Sequence, residues 1–310
     1  MLKTVFAGAR DERVLIDIGD DAAAIAPGAD PLVWTIDAAV EGVHFRRDWV
    51  SFHDLGFRAT MAAASDLAAM GARPLGILAS LVLPPDVDDD ALEAIARGQR
   101  EACDVLGTAV LGGNLARGSE LSITTTVLGE SAEPLRRDGA RVGDALWLAG
   151  AVGLAAAGLA LIESGREDGS PAALLAVQSW RRPQAQIDAG LMARPLATAA
   201  IDISDGLARD IGHIARASRI RAVIDPAALR TPELMAAAAL LGRDPIDLAL
   251  NGGEDYALVI AAPSRAKLHG FNRIGGCEPI EPGASPAALV APDGSLTAIK
   301  DQGYDHFKKN

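Results

Sequence analysis

Carboxylates recur along this chain in short motifs that lie beside apolar segments. Asp21, Asp37 and Asp66 belong to three such motifs in the first half, and the second half adds Asp202-Ile203-Ser204-Asp205 and Gly253-Glu254-Asp255. An ionised carboxylate next to buried chain is unfavourable unless a cation compensates its charge. Because every lysine lies outside these motifs, divalent cations are the expected partners, and the pattern predicts a site for metal ions and phosphate.

Each motif also has an ordinary structural explanation. Gly19-Asp20-Asp21 is typical of a surface turn, and either Ser204 or Asp205 could cap a helix that begins directly after it. Asp66 could lie on the solvent face of its helix. Against that last alternative, the positions three and four residues away from Asp66 carry small or apolar side chains, namely Ala62, Ala63, Ala69 and Met70. The spacing therefore favours a functional carboxylate at position 66.

Other motifs are weak or absent. His44 precedes Phe45 and has no second His or Cys three or four residues away, so a packed histidine is the simpler interpretation and zinc binding is not indicated. Gly112-Gly113-Asn114 offers backbone N–H groups to an anion. The chain has no GxxxxGK[ST], GxGxxG or Gly-x-Ser-x-Gly motif; Walker-type nucleotide binding, dinucleotide binding and serine hydrolase chemistry therefore lack support.

Composition narrows the classes of partner. The 310 residues are 49% hydrophobic and only 4% aromatic, with a formal net charge of −12. This charge argues against nucleic acid or an anionic membrane as the main partner. Cys103 and Cys277 are isolated, which is typical of a reducing cytoplasm. No apolar run approaches the roughly 18 residues that a membrane span requires. We therefore expect a cytoplasmic protein.

Hydrophobic periodicity predicts alternating strands and helices in two α/β domains, residues 1–133 and 134–310. Strands are predicted at 14–18, 32–36, 75–83, 110–111, 121–128, 145–149, 199–203, 222–224 and 256–261. Helices are predicted at 51–70, 88–106, 154–163 and 207–217. Gly112-Gly113 is predicted to be a turn. In this arrangement the acidic motifs fall where strands end or helices begin, and Asp66 lies inside a helix.

Six stretches together resemble the thiamine-monophosphate kinase family, which belongs to the aminoimidazole ribonucleotide synthetase-like superfamily. They are IGDDAA (18–23), EGVHF (41–45), SDLAAMGARP (65–74), DISDGL (202–207), GGEDYAL (252–258) and GYDHF (303–307). The resemblance implies an N-terminal domain that binds ATP and magnesium and pairs in a homodimer, and a C-terminal α/β domain that completes the active site. The implied reaction is ATP-dependent phosphorylation of thiamine monophosphate with several Mg²⁺ ions.

The resemblance also implies roles for individual residues. The implied Mg²⁺ ligands are Asp21, Thr35, Asp37, Asp66, Asp202 and Asp205. Three of these, Asp37, Asp66 and Asp205, are the expected catalytic residues. The implied ATP contacts are Gly113, Asn114, Arg137 and Ser204. The implied contacts to the acceptor substrate are His44, Glu254 and Tyr304.

Four positions depart from the family pattern, namely Ile36, Asn114, Leu154 and Gln186. At position 114 a neutral amide replaces a carboxylate, which removes one negative charge from the expected metal shell. Two interpretations follow. The chain is a kinase with a reduced or rearranged metal shell, or it is a paralogue that acts on another small acceptor or binds ligands without turnover.

Overall fold

The computed structural model describes residues 1–6, 11–19 and 21–299. The chain forms two compact units, one comprising Met1–Leu67 with Ala72–Pro134 and the other Ala68–Gly71 with the chain from Leu135 onward. Both units contain helices and sheets, so the predicted mixed α/β class is confirmed. No helix in the described ranges has both the length and the apolar character needed to cross a membrane. Tyr304 lies outside the described residues.

The elements of the first unit are α1 Leu2–Val5, β1 Val14–Ile16, β2 Ala24–Ile25, β3 Leu32–Val40, α2 Phe52–Ala69, β4 Arg73–Leu83, α3 Asp89–Leu106, β5 Val110–Arg117 and β6 Ser122–Glu130. Four of these strands form a sheet with the order β3-β6-β4-β5, in which only the β4–β5 pair is parallel. A small antiparallel pair, β1 and β2, precedes this sheet.

Helices α2 and α3 pack closely because small residues face each other where they meet. A Cβ at Gly98 would lie 1.8 Å from the His53 carbonyl oxygen, and one at Gly56 would lie 2.0 Å from that of Ile95. A side-chain cap lies at the beginning of each helix: the Ser51 hydroxyl accepts a hydrogen bond from Asp54 N at 3.0 Å, and the Asp88 carboxylate accepts one from Ala91 N at 2.9 Å. Local sequence thus determines where these two helices start and how closely they approach each other.

An ion-pair network stabilises one end of the same sheet. Arg13 donates to both carboxylate oxygens of Glu130 at 2.8 and 2.9 Å, and Arg73 links Glu130 to Asp11 at 2.7 and 2.8 Å. The hydrogen bonds from Arg13 hold the pKa of the Glu130 carboxyl below its ordinary value of 4.5. The network therefore stabilises the folded protein at pH values above 4.5. This stabilisation is lost as the pH falls through the lowered pKa of Glu130.

We expect Glu130→Gln to lower the free energy of unfolding by about 2 kcal/mol near neutral pH, because it removes a charged acceptor from two arginines. Urea denaturation followed by circular dichroism measures this change. The difference from wild type should shrink as the pH falls well below 4.5. The exposed Glu133→Gln variant is the control and should not differ from wild type. An equal loss in both variants, or a loss that persists in acid, would contradict this account.

The elements of the second unit are β7 Asp144–Ala149, α4 Leu154–Ser164, α5 Pro171–Arg181, α6 Ile187–Ala193, β8 Ala199–Ile203, α7 Leu207–Ser218, β9 Arg221–Ile224, a 3₁₀ turn at Pro226–Leu229, α8 Pro232–Leu241, α9 Pro245–Asn251, β10 Ala257–Pro263, β11 Asn272–Glu278, β12 Ala287–Val290 and β13 Leu296–Ala298. The seven strands form a mainly antiparallel sheet with the order β13-β12-β9-β11-β7-β10-β8. The pair that joins β12 to β9 is parallel.

The predicted turn at Gly112-Gly113 is wrong, because both glycines lie inside β5. This strand continues to Arg117 through its pairing with β4. A Cβ at Gly113 would lie only 1.9 Å from the Ala79 carbonyl oxygen, so glycine is required here by a close approach of two strands and not by a reversal of the chain. Tertiary pairing overrides the local turn preference at this point.

Candidate functional site

The first unit brings Thr35 and Asp66 into direct contact. Thr35 belongs to β3, and its hydroxyl donates to Asp66 Oδ2, which α2 contributes. The sequence predicts a buried carboxylate at position 66, whereas the structure shows one that is half-buried. The hydroxyl supplies part of the compensation that the sequence assigned to a cation. A carboxylate oxygen accepts more than one partner, so this contact is compatible with a metal ligand at Asp66.

Asp37 and Gly113 lie on the same face of the sheet but at its opposite edges. The register aligns Asp37 with Thr125, Thr125 with Ala79, and Ala79 with Gly113. Three strand spacings separate the two edges by about 14 Å. Asp37 is exposed, as is Asp21, and Asp37 Oδ1 accepts from the amide of the next residue at 2.8 Å. The chain therefore does not place Gly113 against the expected catalytic Asp37.

The donor chemistry of these residues suits Mg²⁺, which takes oxygen ligands. Among the residues that the structure describes, no three His, Cys, Asp or Glu side chains converge on a point where they could hold a metal ion. Mg²⁺ is usually bound by one or two carboxylates, with water and substrate phosphates completing its shell. Pairs such as Thr35 and Asp66 fit that mode of binding. They do not form a dedicated protein cage.

Two of the departures from the family pattern lie on the other face of the sheet. Strand alternation places Ile36 opposite to Thr35 and Asp37, and the register aligns Ile36 with Thr126, Leu78 and Gly112 in turn. Asn114, two residues beyond Gly112, shares that face and is exposed. Neither residue therefore lies on the face that carries the Thr35–Asp66 contact.

A turn after β3 positions His44. Its Nδ1 accepts a hydrogen bond from Val40 N at 3.1 Å, so the neutral imidazole carries its proton on Nε2. The ring is half-buried, in contrast to the fully buried Phe45 beside it. His44 is thus a fixed hydrogen-bond donor at the surface of the first unit.

In the second unit, Ser204 and Asp205 lie in the loop between β8 and α7. Asp210, one turn into α7, accepts hydrogen bonds from both backbone amides, at 3.0 Å from Ser204 N and 3.1 Å from Asp205 N. The helix itself begins after Gly206 with no side-chain cap. The alternative that Ser204 or Asp205 caps α7 is therefore wrong, because the aspartate inside the helix binds the loop amides instead.

Asp210 is a functional candidate that the sequence analysis missed. It is buried with 4% of its surface exposed, and Asp202 on β8 is buried with 6% exposed. Burial, reinforced by the charge of Asp202, raises the pKa of Asp210 to about 7. The available signal was an acidic residue within an otherwise apolar stripe of α7, whose buried members include Leu207 and Ile211. Asp210 therefore lies near enough to Asp202 for the two charges to interact, and it contacts the Ser204–Asp205 loop through its carboxyl oxygen.

Glu254 approaches this loop from the segment before β10. Its amide donates to the Ser204 carbonyl oxygen at 2.8 Å, and its backbone has a φ of +68°, which is uncommon for a residue with a side chain. The indole of Trp180, fully buried on α5, donates to Glu254 Oε2 at 2.6 Å. The structure therefore brings Glu254, Ser204 and Asp205 together and fixes the orientation of the Glu254 carboxylate.

Asp255 occupies the beginning of α4. It accepts hydrogen bonds from Gly153 N at 2.6 Å and from Ala155 N at 3.1 Å, and burial raises its pKa to about 7. Leu154, one of the positions where the chain differs from the family pattern, lies between those two amides as the first residue of α4. The N-terminal amides of α4 are thus already bound by a protein carboxylate. Gln186, another position that differs from the family pattern, lies at the start of α6. Its side-chain amide donates a hydrogen bond to Gln184 O at 2.9 Å.

The remaining predicted contacts are less defined. Arg137 is exposed, and its carbonyl oxygen accepts from the Ser218 hydroxyl at 2.8 Å. Arg209 lies 3.6 Å from the Asp205 carboxylate, so one arginine already faces an expected metal ligand. Tyr304, predicted to contact the acceptor, falls outside the described residues and stays a prediction.

Two protein-family models match the chain. Residues 19–131 match the N-terminal domain of AIR synthase related proteins, and residues 141–271 match the C-terminal domain of the same group. Among curated relatives, the thiamine-monophosphate kinase of Aquifex aeolicus is 36% identical over 247 residues, which cover 79% of this chain and 80% of that protein. The thiamine-monophosphate kinase of Escherichia coli O157:H7 is 34% identical over 305 residues, covering 95% of this chain and 92% of that one.

Two solved structures superpose on most of this chain. The structure of AaThiL complexed with AMPPCP and TMP superposes with a TM-score of 0.83 at 34% identity, covering 94% of this chain and 92% of that chain. Hydrogenase maturation protein HypE in complex with ATP superposes with a TM-score of 0.75 at 20% identity, covering 97% of this chain and 93% of that chain. The latter likeness shows the fold alone.

Proposed function

Because the chain belongs to the thiamine-monophosphate kinase family of AIR synthase related proteins, we propose that it transfers a phosphoryl group from ATP to thiamine monophosphate, forming thiamine diphosphate and ADP. The observation that carries this proposal is the 34% identity with the Escherichia coli O157:H7 enzyme over 95% of the chain. We place the reaction in the cytoplasm, where ATP is available and where the two free, buried cysteines stay reduced.

The chemistry explains why the candidate residues are acidic and not basic. The acceptor is a phosphate monoester whose second pKa is about 6, so its oxygen is already anionic at neutral pH. No general base is needed. The main barrier is repulsion between two polyanions, and bound Mg²⁺ would neutralise this charge and align the attack. Acidic residues serve such a reaction by holding cations, which lysines would repel.

We propose the following division of roles. In the first unit, Asp21, Thr35, Asp37 and Asp66 would hold Mg²⁺, Gly113 and Asn114 would contact ATP, and His44 would donate through Nε2 to the acceptor. In the second unit, Asp202 and Asp205 would hold Mg²⁺, Arg137 and Ser204 would contact ATP, and Glu254 and Tyr304 would bind the acceptor. The negative charge of Glu254, whose carboxylate Trp180 orients, would offset the positive thiazolium ring.

The binding steps can be tested separately by calorimetry, with a non-hydrolysable ATP analogue and with thiamine monophosphate, each with and without Mg²⁺. We expect both ligands to bind and the nucleotide to require Mg²⁺. Nucleotide binding without thiamine monophosphate binding would point to another acceptor. Thiamine monophosphate binding without nucleotide binding would indicate a protein that binds the acceptor but does not phosphorylate it.

We further propose that the protein is a homodimer that pairs through the open face of the sheet in the first unit. Three apolar side chains on β3 are strongly exposed on that face, with Trp34 at 72%, Ile36 at 67% and Leu32 at 62%. Leu78 on β4 continues the same face at 39% exposed. Exposed apolar patches of this kind mark interfaces between proteins. A second copy would cover this patch by presenting the same face.

We expect Ile36→Glu to convert the dimer to a monomer, because it would bury an unpaired carboxylate in the interface. Light scattering coupled to size-exclusion chromatography measures the mass. Val105→Glu is the matched control, since Val105 is 61% exposed on α3, away from this face, and should leave the dimer intact. A wild-type monomer, or an Ile36→Glu variant that remains dimeric, would contradict the proposed interface.

A further inference from the structure

The segment Glu254-Asp255-Tyr256, which precedes β10, carries unusual backbone strain. Glu254 has a φ of +68° and Tyr256 a φ of +49°, so two residues with side chains adopt the left-handed conformation within three positions. Among the described residues the one other such case is Arg219, which ends α7 in an ordinary way. A strained conformation in a loop persists only where the surrounding contacts hold it. The contacts of this segment therefore show what maintains the strain.

Two backbone hydrogen bonds join the segment to the end of β8. Glu254 N donates to Ser204 O, and Tyr256 N donates to Ile203 O, each at 2.8 Å. The two chains also approach closely at Gly253, where a Cβ would lie 2.6 Å from Ser204 O. These bonds fix the segment against β8 through its backbone alone. The direction of the side chain at position 254 depends on further contacts.

Asp255 anchors the centre of the segment through its side chain. Its Oδ2 accepts from Gly153 N at 2.6 Å and its Oδ1 accepts from Ala155 N at 3.1 Å, so both carboxylate oxygens are used. Gly153, which precedes α4, provides no side-chain cap, and Asp255 takes the place of that cap. Because Asp255 lies between the two strained residues, the same bonds oppose the relaxation of both.

We propose that Asp255 and Trp180 are positioning residues that together hold Glu254 for a cationic acceptor. Asp255 maintains the strained backbone by binding the first amides of α4, and the indole of Trp180 fixes the carboxylate that this backbone presents. The inference rests on the proposed function, in which Glu254 binds thiamine monophosphate. Without either contact the carboxylate turns away from the acceptor. The Ser204–Asp205 loop keeps its place because Asp210 binds its amides, so nucleotide binding is spared.

The test is calorimetric binding of thiamine monophosphate and, separately, of AMPPCP with Mg²⁺. We expect Asp255→Asn to weaken thiamine monophosphate binding about tenfold, because asparagine replaces only one of the two acceptor oxygens. AMPPCP binding should not change. In turnover, the KM for thiamine monophosphate should rise by a similar factor while kcat and the KM for ATP stay constant. Trp180→Phe, which removes the donor to Glu254 Oε2, should show the same selectivity.

Asp244→Asn is the matched control. Asp244 caps α9 through one oxygen, which accepts from Ile246 N at 3.0 Å, and the asparagine oxygen can replace it. This variant should bind both ligands like wild type. A double variant separates positioning from a general loss of stability. Glu254→Gln alone should weaken thiamine monophosphate binding, and adding Asp255→Asn should weaken it no further, because Asp255 acts only through the Glu254 carboxylate.

Unchanged thiamine monophosphate binding by a folded Asp255→Asn variant would overturn the inference, as would additive losses in the double variant or an equal loss of both ligands. If circular dichroism shows that Asp255→Asn does not fold, Trp180→Phe decides, and unchanged binding by that variant would overturn the inference. A wild-type protein that binds AMPPCP but not thiamine monophosphate would overturn the proposed function, and this inference with it.

Discussion

Asp66→Asn should reduce kcat by about three orders of magnitude. Asn can still accept the hydrogen bond that the Thr35 hydroxyl donates, so the contact between β3 and α2 should survive. What disappears is the negative charge that would hold Mg²⁺ against the phosphates. Stabilisation of charge by a metal in the transition state is worth several kcal/mol, and about 1.4 kcal/mol corresponds to a factor of ten in rate.

The measurement is steady-state turnover with ATP and thiamine monophosphate over a range of Mg²⁺ concentrations. Asp104→Asn is the matched control, since this aspartate is exposed on α3 and paired with Arg100 at 2.8 Å; its kcat should equal that of wild type. Thermal denaturation should show that Asp66→Asn is folded. Activity close to wild type at low Mg²⁺ would remove Asp66 from the metal site.

Asp210→Ala should lower kcat/KM for ATP by about a hundredfold, the upper range for losing a group that orients metal ligands. Asp210 is a positioning residue, because it acts through the amides of Ser204 and Asp205. Alanine leaves the Ser204 and Asp205 amides without this acceptor, and the loop that carries an expected metal ligand should then lose its fixed conformation. The Mg²⁺ concentration for half-maximal activity should rise in parallel, which a purely structural role would not require.

The matched variant for this prediction is Asp210→Asn. Both amides donate to the same oxygen, Oδ2, so one amide oxygen in that place can accept both bonds. We therefore expect Asp210→Asn to restore most of the activity that Asp210→Ala loses. If the asparagine variant is as inactive as the alanine variant, the charge of Asp210, and not its geometry, is what matters. If both are fully active, Asp210 does not position the loop.

Much of the fold was predictable because local signals agree with tertiary structure. Strand β8 was predicted with its observed bounds, and the caps at Ser51 and Asp88 mark where α2 and α3 begin. The prediction failed where pairing overrides local preference, as at Gly112-Gly113 in β5. It also missed β11, β12 and β13. β11 contains two glycines, so β-propensity alone gives little sign of it.

The candidate site was only partly predictable, since sequence spacing does not report hydrogen bonds between distant residues. The acidic motifs were visible, and Thr35 and Asp66 do meet, although they lie far apart in sequence. Nothing local indicated that Asp210 would bind the Ser204–Asp205 amides, or that Trp180 would orient Glu254. Asp255 also belongs to a recognised motif, but its partners at the beginning of α4 depend on how the second unit folds.

The most direct test of the central claim is chromatographic measurement of thiamine diphosphate after incubating the purified protein with ATP, thiamine monophosphate and Mg²⁺. We predict that thiamine diphosphate and ADP form in equal amounts and that neither forms when a chelator removes the metal. ADP without thiamine diphosphate, or no product from a protein that binds both substrates, would contradict the assignment of this chain as a thiamine-monophosphate kinase.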